Sequence, residues 1–87
     1  MYFEYDENKS LNNKEKHGID FAEAQKLWMD EKMLEVPLDF PDEPRWLCIG
    51  AVDGKCWSAV ITYRKDTVRI ISVRRSRKME VLQYENC

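Results

Sequence analysis

Residues 45–75, RWLCIGAVDGKCWSAVITYRKDTVRIISVRR, decide the fold. The stretch contains three runs rich in β-branched and aromatic residues, at 45–52, 56–63 and 68–74. Asp53-Gly54 is a strong hairpin turn signal, and Lys65-Asp66 is a weaker one. Because short turns join strands that lie side by side, the stretch predicts a three-stranded antiparallel meander.

The residues before this meander predict two helices. Asp6 is a good N-cap, and Gly18 is a natural residue for the left-handed end of the helix that follows it. This first helix is almost wholly polar and needs an anchor on the rest of the protein. A second helix begins at Asp20, where Glu23 completes a capping box, and should end near Asp30.

Three further elements complete the prediction. Residues 2–5 and 33–36 read as short strands, and residues 77–85 read as a last helix capped by Ser76. The element order is then β-α-α-β-β-β-β-α. Since helices and strands are grouped rather than alternating, this order favours an α+β fold with one antiparallel sheet. The two N-terminal helices and the C-terminal helix should pack on that sheet, in a single domain spanning residues 1–87.

The net charge of −2 conceals a strong asymmetry along the chain. Residues 1–44 hold five Lys and twelve Asp or Glu, a net −7, whereas residues 45–87 hold nine Lys or Arg and four Asp or Glu, a net +5. All arginines lie in the second half: Arg45, Arg64, Arg69, Arg74, Arg75 and Arg77. This asymmetry indicates a face that meets an anion.

Composition also narrows the class of protein. No apolar run approaches the ~20 residues of a membrane helix, and the acidic N-terminus lacks the features of a signal peptide. The three cysteines, Cys48, Cys56 and Cys87, are an odd number and form no CxxC, so free thiols are expected. With one histidine and no phosphate-loop or metalloprotease motif, we expect a cytoplasmic protein without a cofactor or metal.

The end of the meander carries a basic cluster, Arg74-Arg75-Ser76-Arg77-Lys78. Strict alternation predicts Arg69, Ile71, Val73 and Arg75 on one side of the strand and Val68, Ile70, Ser72 and Arg74 on the other. The cluster precedes a helix, whose N-terminal N–H groups and dipole favour an anion such as phosphate. Alternatively, these arginines form a solvated surface or pair with the acidic first half.

Two other residues are candidates for chemistry. His17 is the only histidine, and imidazole titrates near neutral pH, which suits a general acid or base. It also lies at the end of the first helix, where a cation completes the C-cap without any chemistry. Tyr84 lies on the last helix, from which its hydroxyl is predicted to reach the basic cluster.

The chain resembles the BrnT toxin family across nearly its whole length. Its opening matches in Asp6-Glu7, Lys9, Asn13, Lys16-His17-Gly18-Ile19-Asp20-Phe21 and Glu23-Ala24. The later matches are Arg45-Trp46-Leu47, Ile49-Gly50, Val68-Arg69-Ile70-Ile71-Ser72, Arg74-Arg75, Glu80 and Tyr84-Glu85. Their order and spacing together carry the resemblance.

The resemblance implies a RelE-like fold and a ribonuclease toxin of a type II toxin–antitoxin pair that cleaves RNA without metal and inhibits translation and growth. It implies a BrnA-like ribbon-helix-helix antitoxin as partner, with DNA met only through that antitoxin. The assembly is either a homodimer or a toxin–antitoxin hetero-oligomer.

Site residues follow from the same resemblance. The predicted catalytic residues are His17, Arg64, Arg69, Arg74, Arg75, Glu80 and Tyr84, and the predicted RNA-binding residues are Lys16, Arg77 and Lys78. The arginines would hold the phosphate and stabilise charge in the transition state, while His17, Glu80 or Tyr84 would move the proton.

The last helix departs from the family pattern. It carries Met79, Val81, Leu82 and Gln83 where arginines are expected, and fewer cations mean weaker RNA binding. These apolar residues equally suit a docking helix of a partner. The alternative function is therefore a non-catalytic binding module that regulates transcription through its partner.

Overall fold

The computed structural model describes residues 1–86 and confirms the α+β class and the predicted order of elements. Its strands are β1 (Tyr2–Glu4), β2 (Leu34–Leu38), β3 (Arg45–Val52), β4 (Lys55–Arg64) and β5 (Thr67–Arg75). Its helices are α1 (Glu7–His17), α2 (Phe21–Ala24) and α3 (Lys78–Glu85), and a 3₁₀ segment, Gln25–Met29, continues α2. The strands form one sheet in the order β1-β5-β4-β3-β2.

The prediction of an antiparallel sheet is wrong for one pair of strands. β1 runs parallel to β5, with Phe3 opposite Val68 and Glu4 opposite Arg69. Strands β2 to β5 are linked in sequence and pair antiparallel, but α1 and α2 separate β1 from them. The chain therefore returns to the sheet at the far edge, and the sheet is mixed.

Both hairpin turns of the meander are confirmed. Asp53 and Gly54 have φ of 51° and 80°, as a two-residue turn matching the twist of the strands requires. Lys65 has φ 57° in the second turn. Arg64 pairs with Thr67 and Thr62 with Arg69, as a two-residue turn at Lys65-Asp66 requires.

A β-bulge changes the two faces of β5. Val60 pairs with Ser72 and Ile61 with Ile70, so the intervening Ile71 has no partner in the register. Strict alternation, which placed Arg74 opposite Arg69, is therefore wrong. Val68, Ile70, Val73 and Arg75 share one face, and Arg69, Ser72 and Arg74 share the other.

We call the second of these the arginine face. The register of β3 and β4 adds Arg45 and Arg64 to it, so it holds four of the six arginines. The opposite face packs against α1, α2 and the 3₁₀ segment. The core between the helices and this face includes Phe21, Ala24 and Leu27 of the helical region and Cys48, Ala59, Ile61 and Val73 of the sheet. Gly50 permits this packing, since a Cβ there would lie 3.0 Å from Leu27 Cδ2.

The polar helix α1 is anchored by hydrogen bonds rather than by an apolar stripe. Ser10 and Asn13 are buried in its underside. Ser10 Oγ accepts from the Phe21 N–H (2.9 Å), and Asn13 Nδ2 donates to the Ile19 carbonyl (2.8 Å). Asn13 Oδ1 also accepts from the Val73 N–H of β5 (3.3 Å). The caps of α1 are as predicted, with Asp6 at its start and Gly18 at φ 84°.

The second helical region is less regular than predicted. The capping box of Asp20 and Glu23 is confirmed, and the region ends at Asp30. However, the α-helix stops at Ala24, and the rest of the region is the 3₁₀ segment.

The last helix differs from the prediction at its start. Its N-cap is Arg77, not Ser76, whose hydroxyl lies 2.7 Å from that of Ser58. No residue of α3 is buried. No helix among residues 1–86 is long and apolar enough to cross a membrane. Cys48 and Cys56 are free thiols, and Cys87 lies outside the described residues.

Candidate functional site

The basic cluster after β5 is organised by one carboxylate. Arg74 Nη1 and Nη2 donate to Glu80 Oε1 and Oε2 at 2.7 and 2.8 Å. Glu80 Oε1 also accepts from Ser58 Oγ and from the Arg77 N–H, each at 2.9 Å. The Arg74 hydrogen bond is the main cause that lowers the pKa of Glu80 to about 2. Glu80 is therefore a fixed anion that holds Arg74, and it is a weak proton acceptor near neutral pH.

The structure does not bring Arg75 together with Arg74. Arg75 lies on the helical side of the sheet, and its guanidinium carbon is 5.4 Å from the centroid of the Trp57 ring. Trp57 is buried while Arg75 is exposed. The two neighbouring arginines thus serve different surfaces.

Arg64 and Arg69 occupy the other end of the arginine face. Arg64 Nη2 is 4.0 Å from Glu43 Oε2, and Arg69 Nη1 is 3.7 Å from Glu4 Oε2. These pairs with the acidic half agree with the alternative interpretation, but exposed pairs of this length bind weakly. Arg69 and Arg74 are roughly 15 Å apart at the usual strand rise, so the arginines form a line rather than one cluster.

A second basic feature lies between α1 and β5. A groove of about 250 Å³ is lined by Lys9, Asn12, Asn13, Lys16, His17, Phe21, Ile71 and Ser72. Within residues 1–86, the side chains of Lys9, Lys16 and His17 form no ion pair. We call this feature the basic groove. Lys9 lies in the first turn of α1, where the helix dipole disfavours a cation, so helix stability does not explain its position.

The bulge joins the basic groove to the arginine face. Ser72 lines the groove and is exposed, and by the register it shares the face of Arg74. Residues two apart in a strand are about 7 Å apart, so Ser72 lies directly beside Arg74. Lysines, an imidazole and an arginine are thereby arranged around one surface. Such a surface can hold a phosphate and move a proton near it.

The other predicted site residues lie outside this surface or at its border. The hydroxyl of Tyr84 donates to Asp30, which also accepts from the Ala51 N–H at 2.9 Å. This bond is the main cause that raises the pKa of Tyr84 to about 12. Tyr84 therefore anchors α3 and does not reach the basic cluster. Arg77 and Lys78 are exposed at the start of α3.

Reasoning from the sequence missed Lys9, Asn12 and Ser72 as site residues. The first two carried a signal, because residues 9, 12 and 16 recur at helical spacing on one polar stripe of α1. Ser72 carried none, since its place in the groove depends on how α1 packs against β5. The part of the chain that the structure describes holds no group of three His, Cys, Asp or Glu side chains placed to bind a metal.

One comparison with known families gives a match. The family model described as "Ribonuclease toxin, BrnT, of type II toxin-antitoxin system" matches residues 5–80, most of the chain. The matched region includes the whole basic groove, the arginine face and Glu80. A comparison with curated proteins gives no match.

Proposed function

Because the chain belongs to the BrnT family of ribonuclease toxins of type II toxin–antitoxin systems, we propose that it cleaves RNA at the basic groove and the adjoining Arg74. The observation that carries this proposal is a groove beside Ser72 lined by Lys9, Lys16 and His17, three basic side chains that form no ion pair within residues 1–86. An RNA phosphate supplies a negatively charged partner for the two lysines of this groove.

The reaction is a metal-independent attack of the RNA 2′-hydroxyl on the adjacent phosphate. The new bond joins the 2′-oxygen to phosphorus, and the bond from phosphorus to the 5′-oxygen breaks. Lys9, Lys16 and Arg74 hold the phosphate and stabilise the charge that grows on it. His17 moves the proton of the 2′-hydroxyl to the leaving 5′-oxygen, because Glu80 is bound to Arg74 and Tyr84 to Asp30.

The remaining cations extend the contact beyond the reacting phosphate. Arg64 and Arg69 continue along the arginine face, and Arg75, Arg77 and Lys78 surround the start of α3. Their role is to bind neighbouring phosphates of the same strand through charge, which is insensitive to sequence.

Membership of the family supports a proposal for the biological setting. We propose a single RelE-like domain that acts in the cytoplasm, inhibits translation and growth, and is neutralised by a BrnA-like ribbon-helix-helix antitoxin. The toxin meets DNA only through that antitoxin, in a hetero-oligomer.

The test of the groove compares two lysines of α1. Lys16 lines the groove, whereas Lys14 pairs with Glu23 at 2.7 Å on another side of the helix. We expect His17→Ala to lower the rate of RNA cleavage by about 100-fold and Lys16→Ala by about tenfold, with Lys14→Ala close to wild type. Cleavage is measured with excess EDTA present, which also tests metal independence. Folded His17→Ala and Lys16→Ala proteins that cleave at the wild-type rate would contradict the proposed site.

The arginines are tested one at a time. Arg74→Ala and Arg75→Ala are induced separately and together, and growth and total RNA are followed. Because Arg74, unlike Arg75, shares the face of Ser72, we expect Arg74→Ala to account for most of the loss seen in the double variant. Equal toxicity of wild type and double variant would remove the arginines from the mechanism.

A binding module is the second candidate function, and one observation favours it. Arg74 is already paired with Glu80, and Met79 and Leu82 of α3 are 69% and 41% exposed, as a docking helix requires. This function predicts normal growth and intact RNA when the chain is expressed alone, together with retained binding to its antitoxin.

A further inference from the structure

The Arg74 guanidinium keeps two hydrogen-bond donors that no contact within residues 1–86 uses. A guanidinium carries five N–H groups. Arg74 Nη1 donates to Glu80 Oε1 and to the Arg75 carbonyl (3.2 Å), and Nη2 donates once to Glu80 Oε2. The Nε–H and the second Nη2–H remain, and no acceptor among residues 1–86 contacts them. These two groups lie side by side and form a planar fork that fits two phosphate oxygens.

Glu80 is itself fixed from two directions. Ser58, which is fully buried in β4, donates to it through Oγ (2.9 Å), and the Arg77 N–H donates at the start of α3. Ser76 supports Ser58 from the loop between β5 and α3, at 2.7 Å. The carboxylate is 13% exposed, so it has little freedom to follow a moving arginine.

We propose, given the RNA cleavage proposed above, that Glu80 is a positioning residue that fixes Arg74 with its free fork directed to an RNA phosphate. Ser58 is a second positioning residue, because its hydrogen bond holds the Glu80 carboxylate against the sheet. The ion pair of Arg74 and Glu80 would instead weaken RNA binding if the Glu80 carboxylate occupied the position of the phosphate. The free Nε–H and Nη2–H favour positioning, since a competitor for phosphate would cover them.

The test measures RNA binding apart from cleavage. The probe is a fluorescein-labelled RNA of mixed sequence with 2′-O-methyl riboses, which lack the attacking hydroxyl. Affinity is measured over a range of NaCl concentrations, because each phosphate contact to a single strand contributes about 0.7 to the slope of log K against log salt. Glu85→Gln is the matched control, since it makes the same charge change on the same helix.

We expect Glu80→Gln and Arg74→Ala each to weaken binding by about tenfold and to lower the slope by about 0.7. The double variant should be no weaker than Arg74→Ala alone, because both changes remove one contact. Glu85→Gln should keep the wild-type slope. Ser58→Ala keeps the charge of Glu80 and should cost about threefold, which preserves the test if Glu80→Gln does not fold.

Two outcomes would overturn the positioning role. Tighter binding by Glu80→Gln would make Glu80 a competitor of RNA, and wild-type binding by a folded Glu80→Gln protein would make it only an anchor of α3. A titration with inorganic phosphate, in which NMR follows the resonance of the Arg74 Nε–H, separates the positioning role from the RNA function. If phosphate shifts this resonance in wild type but not in Glu80→Gln, the positioning role is supported even if the protein neither binds nor cleaves RNA. If phosphate does not shift the resonance in wild type, the positioning role is contradicted.

Discussion

Helix α1 contacts β5 and helix α3 contacts β3, and the two helices are held in opposite ways. α1 buries the side chains of Ser10 and Asn13, which bond to the backbone of Phe21, Ile19 and Val73. α3 buries no residue and is held by the contacts of Glu80 and Tyr84. The difference lies in which charges remain available. The anchors of α1 are uncharged and leave Lys9 and Lys16 without an ion pair within residues 1–86, whereas Glu80 of α3 pairs with Arg74.

Replacing the buried anchor of α1 should have the largest effect on stability. Asn13→Ala leaves the Val73 N–H and the Ile19 carbonyl buried without a partner, so we expect the free energy of unfolding to fall by about 3 kcal/mol. Urea unfolding measures this loss. Asn12→Ala is the control, because Asn12 is exposed on the same helix and should change stability by less than about 0.5 kcal/mol. Equal losses would mean that the amide of Asn13 is not the anchor.

The anchor of α3 should be sensitive to acid. Folding lowers the pKa of Glu80 from 4.5 to about 2, so its contribution is complete above pH 4.5 and is lost as the pH falls to about 2. Over that window we expect wild type to lose about 2 kcal/mol more than Glu80→Gln, allowing for partial exposure of the pair. Denaturant unfolding at each pH measures the difference. Glu85→Gln should follow wild type, and parallel curves for wild type and Glu80→Gln would refute the assignment.

The second contact of α3 should matter less. Tyr84→Phe removes the hydroxyl that donates to Asp30 but keeps the ring, so we expect a loss of about 1 kcal/mol at neutral pH. Tyr2→Phe serves as control, since Tyr2 is 72% exposed and should be neutral. If Tyr84→Phe destabilises as much as Asn13→Ala, the two helices are anchored with similar strength and the contrast between them fails.

The smallest effect on stability is expected at Lys9 of α1. Lys9→Ala removes a cation from the first turn of the helix, so stability should stay constant or rise by a few tenths of a kcal/mol, about the strength of a dipole contact. The salt slope of RNA binding should nevertheless fall by about 0.7. Lys32→Ala, an exposed lysine outside α1, should leave the slope unchanged. An unchanged slope in Lys9→Ala would show that the charges of α1 do not meet RNA.

Local signals predicted the local structure well. Asp6, Gly18 and Asp20 are at the helix ends where their chemistry predicts them, and Asp53-Gly54 forms the expected turn. Each of these depends on a side chain and its immediate backbone. The parallel pairing of β1 with β5 depends instead on where two helices return the chain, which no local pattern encodes.

The candidate site was predictable in composition but not in arrangement. His17, Lys16 and Arg74 were all expected, but the groove depends on how α1 packs against β5, and the position of Arg74 on the face of Arg69 depends on the bulge at Ile71. An isoleucine fits a regular strand equally well, so the sequence carries no mark of that bulge. Similarly, Asn13 gave no sign that it bonds to a residue 60 positions away. The opposite orientation of Arg74 and Arg75, by contrast, follows from ordinary strand alternation and was predicted.

The bond between Asn13 and Val73 also sets the time at which the protein acquires its groove. A ribosome makes α1 well before β5, and at 5–20 residues per second the 60 residues between them take roughly 3–12 s. Until β5 emerges and joins the sheet, α1 and β1 have no strand to dock on, and contacts so distant in sequence form late in folding. The nascent chain therefore lacks the groove until β5 has been made. Any partner that recognises the assembled groove must bind a chain in which β5 has already joined the sheet.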